Sequence, residues 1–294
     1  MRETEHGTRR HAQQFGTYGA WLNPSSGDHA RIGYAPELED LGFRTIWLGI
    51  GAGTRGSLDL IEQVVSHTRT AMVASAIINV WRIDPHSVAY RYHQIVDRHG
   101  PRVVLGIGLG HPERVEDYTS PYRVLEDFVD ILLAQRVPAE AIVLAALSAR
   151  TLRLASARTL GAHPYLTVPE HTRRARDIMG DNAFLAPEHK VVLTDNPSQG
   201  REIGRTMVRD PYLQLRNYRK NLQRHGFTET DVAGAGSDRL IDALVASGDP
   251  SAIRRRLDDH LTAGADHVGV QVLTAEPTNS PMPAFRALAQ HLRA

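Results

Sequence analysis

The sequence contains no cysteine, and this absence excludes several kinds of site at once. Disulfide bonds, thiolate zinc sites, iron–sulfur clusters and cysteine nucleophiles all require that side chain. Long apolar runs are missing too: no stretch approaches the roughly 20 residues of a membrane-spanning helix, and the start MRETEHGTRRHAQQ lacks the apolar core of a signal peptide. We therefore expect a cytoplasmic protein with no membrane partner, in which residues 1–15 form a flexible arm.

An excess of charge is also missing. Basic and acidic residues number 34 and 33, which leaves a formal net charge of +1 and gives no indication of a nucleic-acid partner. The patterns H-E-x-x-H and G-x-S-x-G do not occur, and no carboxylate pair falls at predicted strand ends. The 15 histidines form no convincing set of metal ligands, so we predict no metal site.

Apolar, β-branched runs alternate with helical patterns along the rest of the chain. The runs show little alternation of polar and apolar residues, which is typical of parallel strands buried on both faces. The predicted strands are GTYGAWL (16–22), TIWLGI (45–50), AMVASAIINV (71–80), RVVLGIGL (102–109), IVLAAL (142–147), AHPYLT (162–167), KVVLTD (190–195) and HVGVQVL (267–273). Eight such units predict an α/β protein whose residues 16–294 form one (β/α)8 TIM barrel, with an open doubly wound sheet as the alternative.

The last inter-strand segment is unusually long. A helical stretch over roughly 197–263 separates the seventh and eighth predicted strands, and it predicts an insertion that packs over one end or side of the barrel. Helix starts are marked by capping side chains next to prolines, namely Asp84, Asp195 and Asp249, and by a capping box at Thr167.

Residues 51–56, GAGTRG, match the G-x-G-x-x-G spacing of dinucleotide-binding loops. The match lies on the second predicted strand, not the first, and the first acidic residue after it, Asp84, has the position of a helix cap. A nicotinamide site is therefore the least favoured interpretation. A bare loop at the barrel mouth is favoured, where barrel enzymes place their sites and where small residues leave room for a large planar ligand.

The predicted strand ends carry few titratable groups. His111, in the loop GLGHPE, is the one that stands out, and its ordinary pKa suits proton transfer. Trp21 and Trp81 follow other strands and serve either as core or as walls of a substrate pocket. Ser148 and Thr167 precede helices, where they cap backbone N–H groups that also bind phosphate, with Arg150 and Arg173 nearby in the same first turns. Asn79 is either a turn residue or a ligand contact.

Several longer stretches carry a resemblance to a known family. The runs ASAIINVWRIDP (74–85), RVVLGIGLGHPE (102–113) and HPYLTVPEHTRRARDIMG (163–180) resemble the bacterial luciferase-like superfamily, in its coenzyme F420 (deazaflavin)-dependent oxidoreductase branch. LAPEHKVVLTDNP (185–197) and the stretch 238–273 are similar to the same branch. The resemblance extends over roughly residues 16–293 and implies a TIM barrel, a non-prolyl cis peptide around Ser75, Ala76 and Ile77, and a homodimer.

The resemblance also implies the site residues. His111 stands where relatives carry a proton-donating residue, which makes it the candidate general acid. The implied cofactor contacts are Ser75, Ala76, Ile77, Ile78, Asn79, Gly108, Leu109, Gly110, Leu147, Ser148, Ala149, Tyr165, Leu166 and Thr167. Many relatives have an acidic residue or histidine after the second strand, where this chain has Ile50 and Gly51. A sugar-phosphate substrate is therefore not expected.

The function predicted from these residues is hydride transfer between coenzyme F420 and a small organic substrate. Two alternatives remain open at the level of sequence. One is an FMN-dependent luciferase-like monooxygenase, and the other is a non-catalytic paralogue that binds the cofactor without turnover.

Overall fold

The computed structural model describes residues 13–23, 29–50, 57–110, 120–276 and 278–293. Parallel strands alternate with helices over this span. The strands are β1 (Tyr18–Leu22), β2 (Thr45–Leu48), β3 (Met72–Ser75), β4 (Ile78–Asn79), β5 (Val103–Gly108), β6 (Ile142–Leu144), β7 (Gly161–Ala162), β8 (Phe184–Leu185), β9 (Glu188–Leu193), β10 (Val245–Gly248) and β11 (Val268–Val272). The helices are α1 (Ala35–Asp40), α2 (Ser57–His67), α3 (Pro85–His99), α4 (Pro121–Ala134), α5 (Ala149–Arg158), α6 (Pro169–Met179), α7 (Pro197–Arg209), α8 (Arg216–Arg224), α9 (Glu229–Val232), α10 (Asp238–Leu244), α11 (Pro250–Thr262) and α12 (Met282–Leu292).

The sheet closes into a barrel at the segment that contains β8 and β9. β8 pairs with β7, whereas β9 pairs with β11, which in turn pairs with β1. Only Ala186 and Pro187 separate β8 from β9, and both keep ladder bonds: the Ala186 N–H donates to the Ala162 carbonyl, and the Pro187 carbonyl accepts from the Gly269 N–H, each at 2.9 Å. β8 and β9 therefore act as one strand, as do β3 and β4, and the predicted (β/α)8 barrel is confirmed.

Side chains on each strand alternate between two buried surfaces. The inward residues Trp21, Trp47, Ala74, Val104, Val143, Phe184 and Ala186 pack together inside the barrel. The intervening residues, such as Ala20, Ile46 and Leu48, belong to the larger core that includes residues of the surrounding helices. Burial on both faces is the reason that the strands appear in the sequence as continuous apolar runs.

Phe15 fills the amino-terminal end of the barrel. Its ring is buried and stacks on Phe184 with 4.5 Å between the ring centroids. The predicted arm of residues 1–15 therefore does not extend to Phe15, and residues 1–12 lie outside the described part of the chain.

Of the four helix caps predicted at Asp84, Asp195, Asp249 and Thr167, two hold and two do not. Asp84 accepts a bond from the Ser87 N–H at 2.8 Å and Asp249 from the Ala252 N–H at 2.7 Å. At α7 the capping side chain is Asn196, not Asp195, and α6 begins after Val168 with no side-chain cap, so the capping box predicted at Thr167 is wrong. No helix among the described residues is both long enough and apolar enough to cross a membrane.

The insertion between β9 and β11 packs on the carboxyl end of the barrel, as predicted. Its apolar residues, including Val208, Leu213 and Leu222, share a cluster with Leu166 and Leu273, which follow β7 and β11. The insertion also contains β10, which pairs with the last residues of β9, in a region for which the sequence predicts only helices. The insertion therefore forms one wall at the carboxyl end of the barrel.

Candidate functional site

A cavity of about 490 Å³ opens at the carboxyl ends of the barrel strands. Ten of the residues predicted to contact cofactor or substrate line it: Trp21, Ala76, Ile77, Asn79, Trp81, Leu109, Gly110, Leu147, Ser148 and Tyr165. The insertion adds Met207, Tyr212 and Tyr218, for which the sequence carries no motif. Arg82 is the single charged side chain in the described lining.

Six predicted contacts lie outside the lining. Ser75 is buried and bridges two strands, since its Oγ accepts from the Gly106 N–H at 2.7 Å and donates to the Gly106 carbonyl at 3.0 Å. Ile78 packs in the core, and Leu166 packs against the insertion. Gly108, Ala149 and Thr167 border lining residues without reaching the cavity themselves.

The end of β4 and the residues that follow β5 approach each other closely at the mouth of the barrel. A cis peptide bond joins Ala76 to Ile77, where the resemblance implies one. Gly110 has φ +60, and a Cβ on it would lie 2.3 Å from Asn79 Nδ2. The Asn79 Oδ1 atom in turn accepts from the Trp81 N–H at 3.0 Å. Gly110 is therefore required both by its backbone conformation and by the space that Asn79 occupies.

His163 lies at the floor of the cavity, and sequence reasoning did not single it out. The ring is 1% exposed and stacks on Trp47 with 3.9 Å between centroids and 3° between planes. Its Nδ1 atom lies 2.6 Å from the Ala186 carbonyl, and its Nε2 atom has no partner among the described residues. Burial lowers the pKa of His163 to about 3, so the imidazole is neutral. The one signal in the sequence is its place two residues before Tyr165, in the segment that directly follows β7.

Trp47 is held from its other side by a second buried histidine. The indole N–H of Trp47 donates to His267 Nε2 at 2.9 Å, and His267 Nδ1 donates to the Gly16 carbonyl at 2.7 Å. Burial lowers the pKa of His267 to about 4. These bonds fix the floor of the cavity because each ring has a single position that satisfies its neighbours.

A buried ion pair supports the wall formed by Tyr165. Lys190 Nζ lies 3.0 and 3.1 Å from the two carboxylate oxygens of Glu188, and 3.8 Å from the centroid of the Tyr165 ring. Burial lowers the pKa of Lys190 and raises that of Glu188, while their mutual attraction opposes both shifts. The Tyr165 hydroxyl donates to Gln271 Oε1 at 3.0 Å, which fixes the ring at the cavity wall.

The amino terminus of α5 reaches the cavity through Ser148. Ser148 Oγ accepts from the Thr151 N–H at 3.2 Å, and Thr151 Oγ1 accepts from the Ser148 N–H at 3.2 Å, which completes a capping box. The Arg150 guanidinium lies 3.5 Å from the centroid of the Tyr122 ring. A helix amino terminus of this kind attracts the phosphate of a bound ligand.

Two predicted features lie outside the described residues. One is His111, and the other is the glycine loop 51–56. Within the described ranges, no group of three or more histidine or acidic side chains comes together as a metal site. A second cavity, of about 430 Å³, lies beside β10. Arg201 in its lining is paired with Asp242 at 2.8 Å, so its charge is already balanced within the protein.

The family model for luciferase-like monooxygenases matches residues 10–267. A comparison with curated proteins gave no match. Among solved structures, an F420-dependent secondary alcohol dehydrogenase in complex with an F420–acetone adduct has a TM-score of 0.73 at 10% identity, with 95% of this chain and 99% of that chain covered.

Two further structures show the same fold. The coenzyme F420-dependent tetrahydromethanopterin reductase of Methanopyrus kandleri has a TM-score of 0.71 at 14% identity, over 94% of this chain and 99% of that chain. The oxygenating constituent of 3,6-diketocamphane monooxygenase from Pseudomonas putida, in complex with FMN, has a TM-score of 0.69 at 14% identity, over 93% and 96%. At these identities the likeness establishes the fold alone.

Proposed function

We propose that the chain, which belongs to the luciferase-like monooxygenase family, is an oxidoreductase that moves a hydride between coenzyme F420 and a small organic substrate. The observation that carries the proposal is the cavity at the strand ends, which is walled by aromatic rings and small residues and has one charged group in its described lining. Such a cavity suits a planar, largely apolar ring better than a metal ion or a sugar phosphate. The F420-dependent proteins among the similar structures support this choice of cofactor.

The described residues fit a planar ring with polar edges. Three side chains that line the cavity have a buried nitrogen without a partner in the described part of the chain: Trp21 Nε1, Trp81 Nε1 and His163 Nε2. The first two are donors and the third is an acceptor. A deazaflavin ring carries carbonyl acceptors and an imide N–H donor on one edge, so its chemistry matches these unpaired groups.

The cofactor phosphate would bind at the start of α5. Ser148 and Thr151 line the cavity, and the first-turn N–H groups of α5 follow directly. Leu147 and Ala149 flank the same turn, as the resemblance implies. Their assignment to the phosphate stays a prediction.

Coenzyme F420, when bound, supplies a ring that accepts or releases a hydride. The residues of the chain orient the substrate, exclude water and hold protons. Trp21, Trp81 and Tyr165 form an apolar wall. Burial raises the pKa of Tyr212 to about 12 and raises the pKa of Tyr165 well above its usual range, so both phenols keep their protons near neutral pH. We assign to His111 the transfer of a proton at the heteroatom next to the reacting carbon.

An anaerobic absorbance assay tests the proposal. Purified protein is mixed with oxidised coenzyme F420 and a panel of small secondary alcohols, chosen because a similar structure is a secondary alcohol dehydrogenase. Loss of the absorbance band of the oxidised deazaflavin, with formation of the matching ketone, supports hydride transfer. Retention of the band with every alcohol and, in the reverse direction, no oxidation of reduced coenzyme F420 by any ketone would contradict it.

An FMN-dependent monooxygenase is the second candidate. The FMN-bound structure among the similar proteins favours it, and the described lining offers no side chain that distinguishes the ring of FMN from that of a deazaflavin. A flavin spectrum that remains with the protein through purification, together with consumption of oxygen, would favour this function. Tight binding of either cofactor without turnover would favour the non-catalytic alternative.

A further inference from the structure

We propose that His163 Nε2 is a hydrogen-bond acceptor for the ligand of the cavity, and that it receives an O–H or N–H donor from an uncharged group of the bound molecule. The proposal rests on the proposed function in one respect only, namely that the cavity at the strand ends is the ligand site. His163 is the first residue of the stretch HPYLTVPEHTRRARDIMG, but the resemblance implies no role for it, and the hydride-transfer scheme does not use it.

The hydrogen-bond partners of His163 determine which nitrogen carries the proton. Nδ1 lies 2.6 Å from the carbonyl oxygen of Ala186. A carbonyl oxygen can only accept, so Nδ1 carries the hydrogen and Nε2 of the neutral ring has a free lone pair. The acceptor character of Nε2 thus follows from one backbone contact inside the barrel.

The orientation of the ring is equally restricted. His163 is 1% exposed and lies parallel to the Trp47 indole at 3.9 Å, and Trp47 is itself bonded to His267 at 2.9 Å. Rotation of the imidazole would break both the stack and the bond to Ala186. The stack and the bond to Ala186 therefore fix the direction of the Nε2 lone pair.

The surroundings indicate what kind of donor Nε2 receives. His163 lines the cavity, and its Nε2 has no partner among the described residues, although a buried acceptor is costly to leave unpaired. The described lining contains no carboxylate that would balance a cationic ligand, and it already contains the cation Arg82. A neutral donor is therefore favoured over an ammonium group. Two sources of this chemistry exist, the hydroxyl of an alcohol substrate and the imide N–H of a deazaflavin or flavin ring.

Nitrogen NMR of the full-length protein labelled with 15N-histidine tests the proposal directly. An unprotonated imidazole nitrogen resonates far downfield and moves upfield when it accepts a hydrogen bond. The Nε2 signal of His163 is identified by its absence in His163→Phe, or in His163→Gln if the first variant does not fold. The probes are oxidised coenzyme F420, FMN, and cyclohexanol paired with its methyl ether, which lacks the donor.

The arms of the experiment distinguish the two sources. An upfield shift on addition of coenzyme F420 or FMN alone assigns the donor to the ring imide. A shift with cyclohexanol, but not with its methyl ether, assigns it to the substrate hydroxyl. A signal that stays in place with the cofactor bound and with the alcohol present overturns the proposal. An Nε2 signal that is already shifted upfield in the free protein, as by a bound water, and that no ligand changes also overturns it. Cofactor binding is followed separately by fluorescence. If the proposed function is wrong, the cofactor does not bind, and this result does not depend on the experiment with the alcohol.

Affinity measurements on matched variants give a second readout. His163→Phe keeps a ring on Trp47 and removes the acceptor, so it should weaken binding of the donor-bearing ligand about 2- to 12-fold. His189→Phe is the control, because His189 is equally buried, has one nitrogen bonded to His260 at 3.0 Å and the other unpaired among the described residues, and does not line the cavity. Equal affinities in the wild type and His163→Phe would contradict the proposal, and so would equal losses in the two variants.

Discussion

Acidification should unfold this protein through its buried histidines. Burial lowers the pKa of His163 and His260 to about 3 and that of His171 and His267 to about 4, whereas an unfolded histidine titrates near 6.5. The unfolded chain therefore binds protons that the folded chain excludes as the pH falls below about 6.5. The stability from these four residues is complete above this pH and is lost progressively toward the folded pKa values.

The size of the effect follows from the number of protons. Between pH 6 and pH 5 each such histidine binds about 0.9 protons more in the unfolded chain than in the folded chain. This difference lowers the free energy of unfolding by about 1.2 kcal/mol for each histidine, and by about 5 kcal/mol for the four together. This is comparable to the whole free energy of unfolding of an ordinary domain, about 5–15 kcal/mol. Glu188 works in the opposite sense, because burial raises its pKa, but His189 adds a fifth histidine in the same sense as the four, because burial lowers its pKa well below the usual range.

Urea unfolding followed by circular dichroism at pH 8, 7, 6 and 5 measures the slope. We expect uptake of about three to four protons on unfolding near pH 5.5. His260→Gln should lower this uptake by about one proton, because it removes one of the buried histidines. A free energy of unfolding that is flat from pH 7 to pH 5, or a slope that His260→Gln does not alter, would refute the reasoning.

Three further predictions concern single residues. His111→Gln should lower the rate of the chemical step by about 10²–10⁴-fold and leave cofactor affinity unchanged, and an unaltered rate across the pH range would exclude the assigned role. Gly110→Ala should weaken cofactor binding and destabilise the fold by about 1 kcal/mol or more, because the backbone at φ +60 disfavours alanine and the added Cβ would lie 2.3 Å from Asn79 Nδ2. Fluorescence titration measures the first effect and urea unfolding the second. Wild-type values in both would disprove the tight approach at the mouth. Asn196→Ala should cost about 1 kcal/mol of stability in urea unfolding and Asp195→Ala almost nothing, and the reverse order would restore Asp195 as the cap of α7.

The barrel could be predicted from the sequence because its strands are buried on both faces and appear as apolar runs between capped helices. β10 could not, because its four residues Val245–Gly248 pair with β9 from within a helical region and carry no pattern of their own. The capping box at Thr167 fails for a local reason: Pro169 occupies the first helical position, which makes Val168 the cap.

The lining of the cavity could be predicted in part. Strand ends of a parallel barrel converge, so residues from distant stretches, such as Trp21, Ala76 and Leu147, do meet around one cavity. Simple alternation along the strand does not describe this stretch, because the consecutive residues Ala76 and Ile77 both line the cavity. Ser75 and Ile78, on either side of them, lie elsewhere because Ser75 bonds to Gly106 and Ile78 packs in the core. His163 escapes sequence reasoning because its role depends on Ala186 and Trp47, which are remote in the chain and become neighbours only in the folded barrel.

A fluorescence titration with coenzyme F420, FMN and NADPH, each added separately to the purified protein, tests the proposed function most directly. Of the three tryptophans, Trp21 and Trp81 line the cavity and Trp47 lies beneath it, so a bound ring should quench their emission. We predict saturable quenching by coenzyme F420 and none by NADPH. Quenching by FMN alone would favour the monooxygenase function. If neither coenzyme F420 nor FMN quenches the emission, the result contradicts a cofactor site in this cavity.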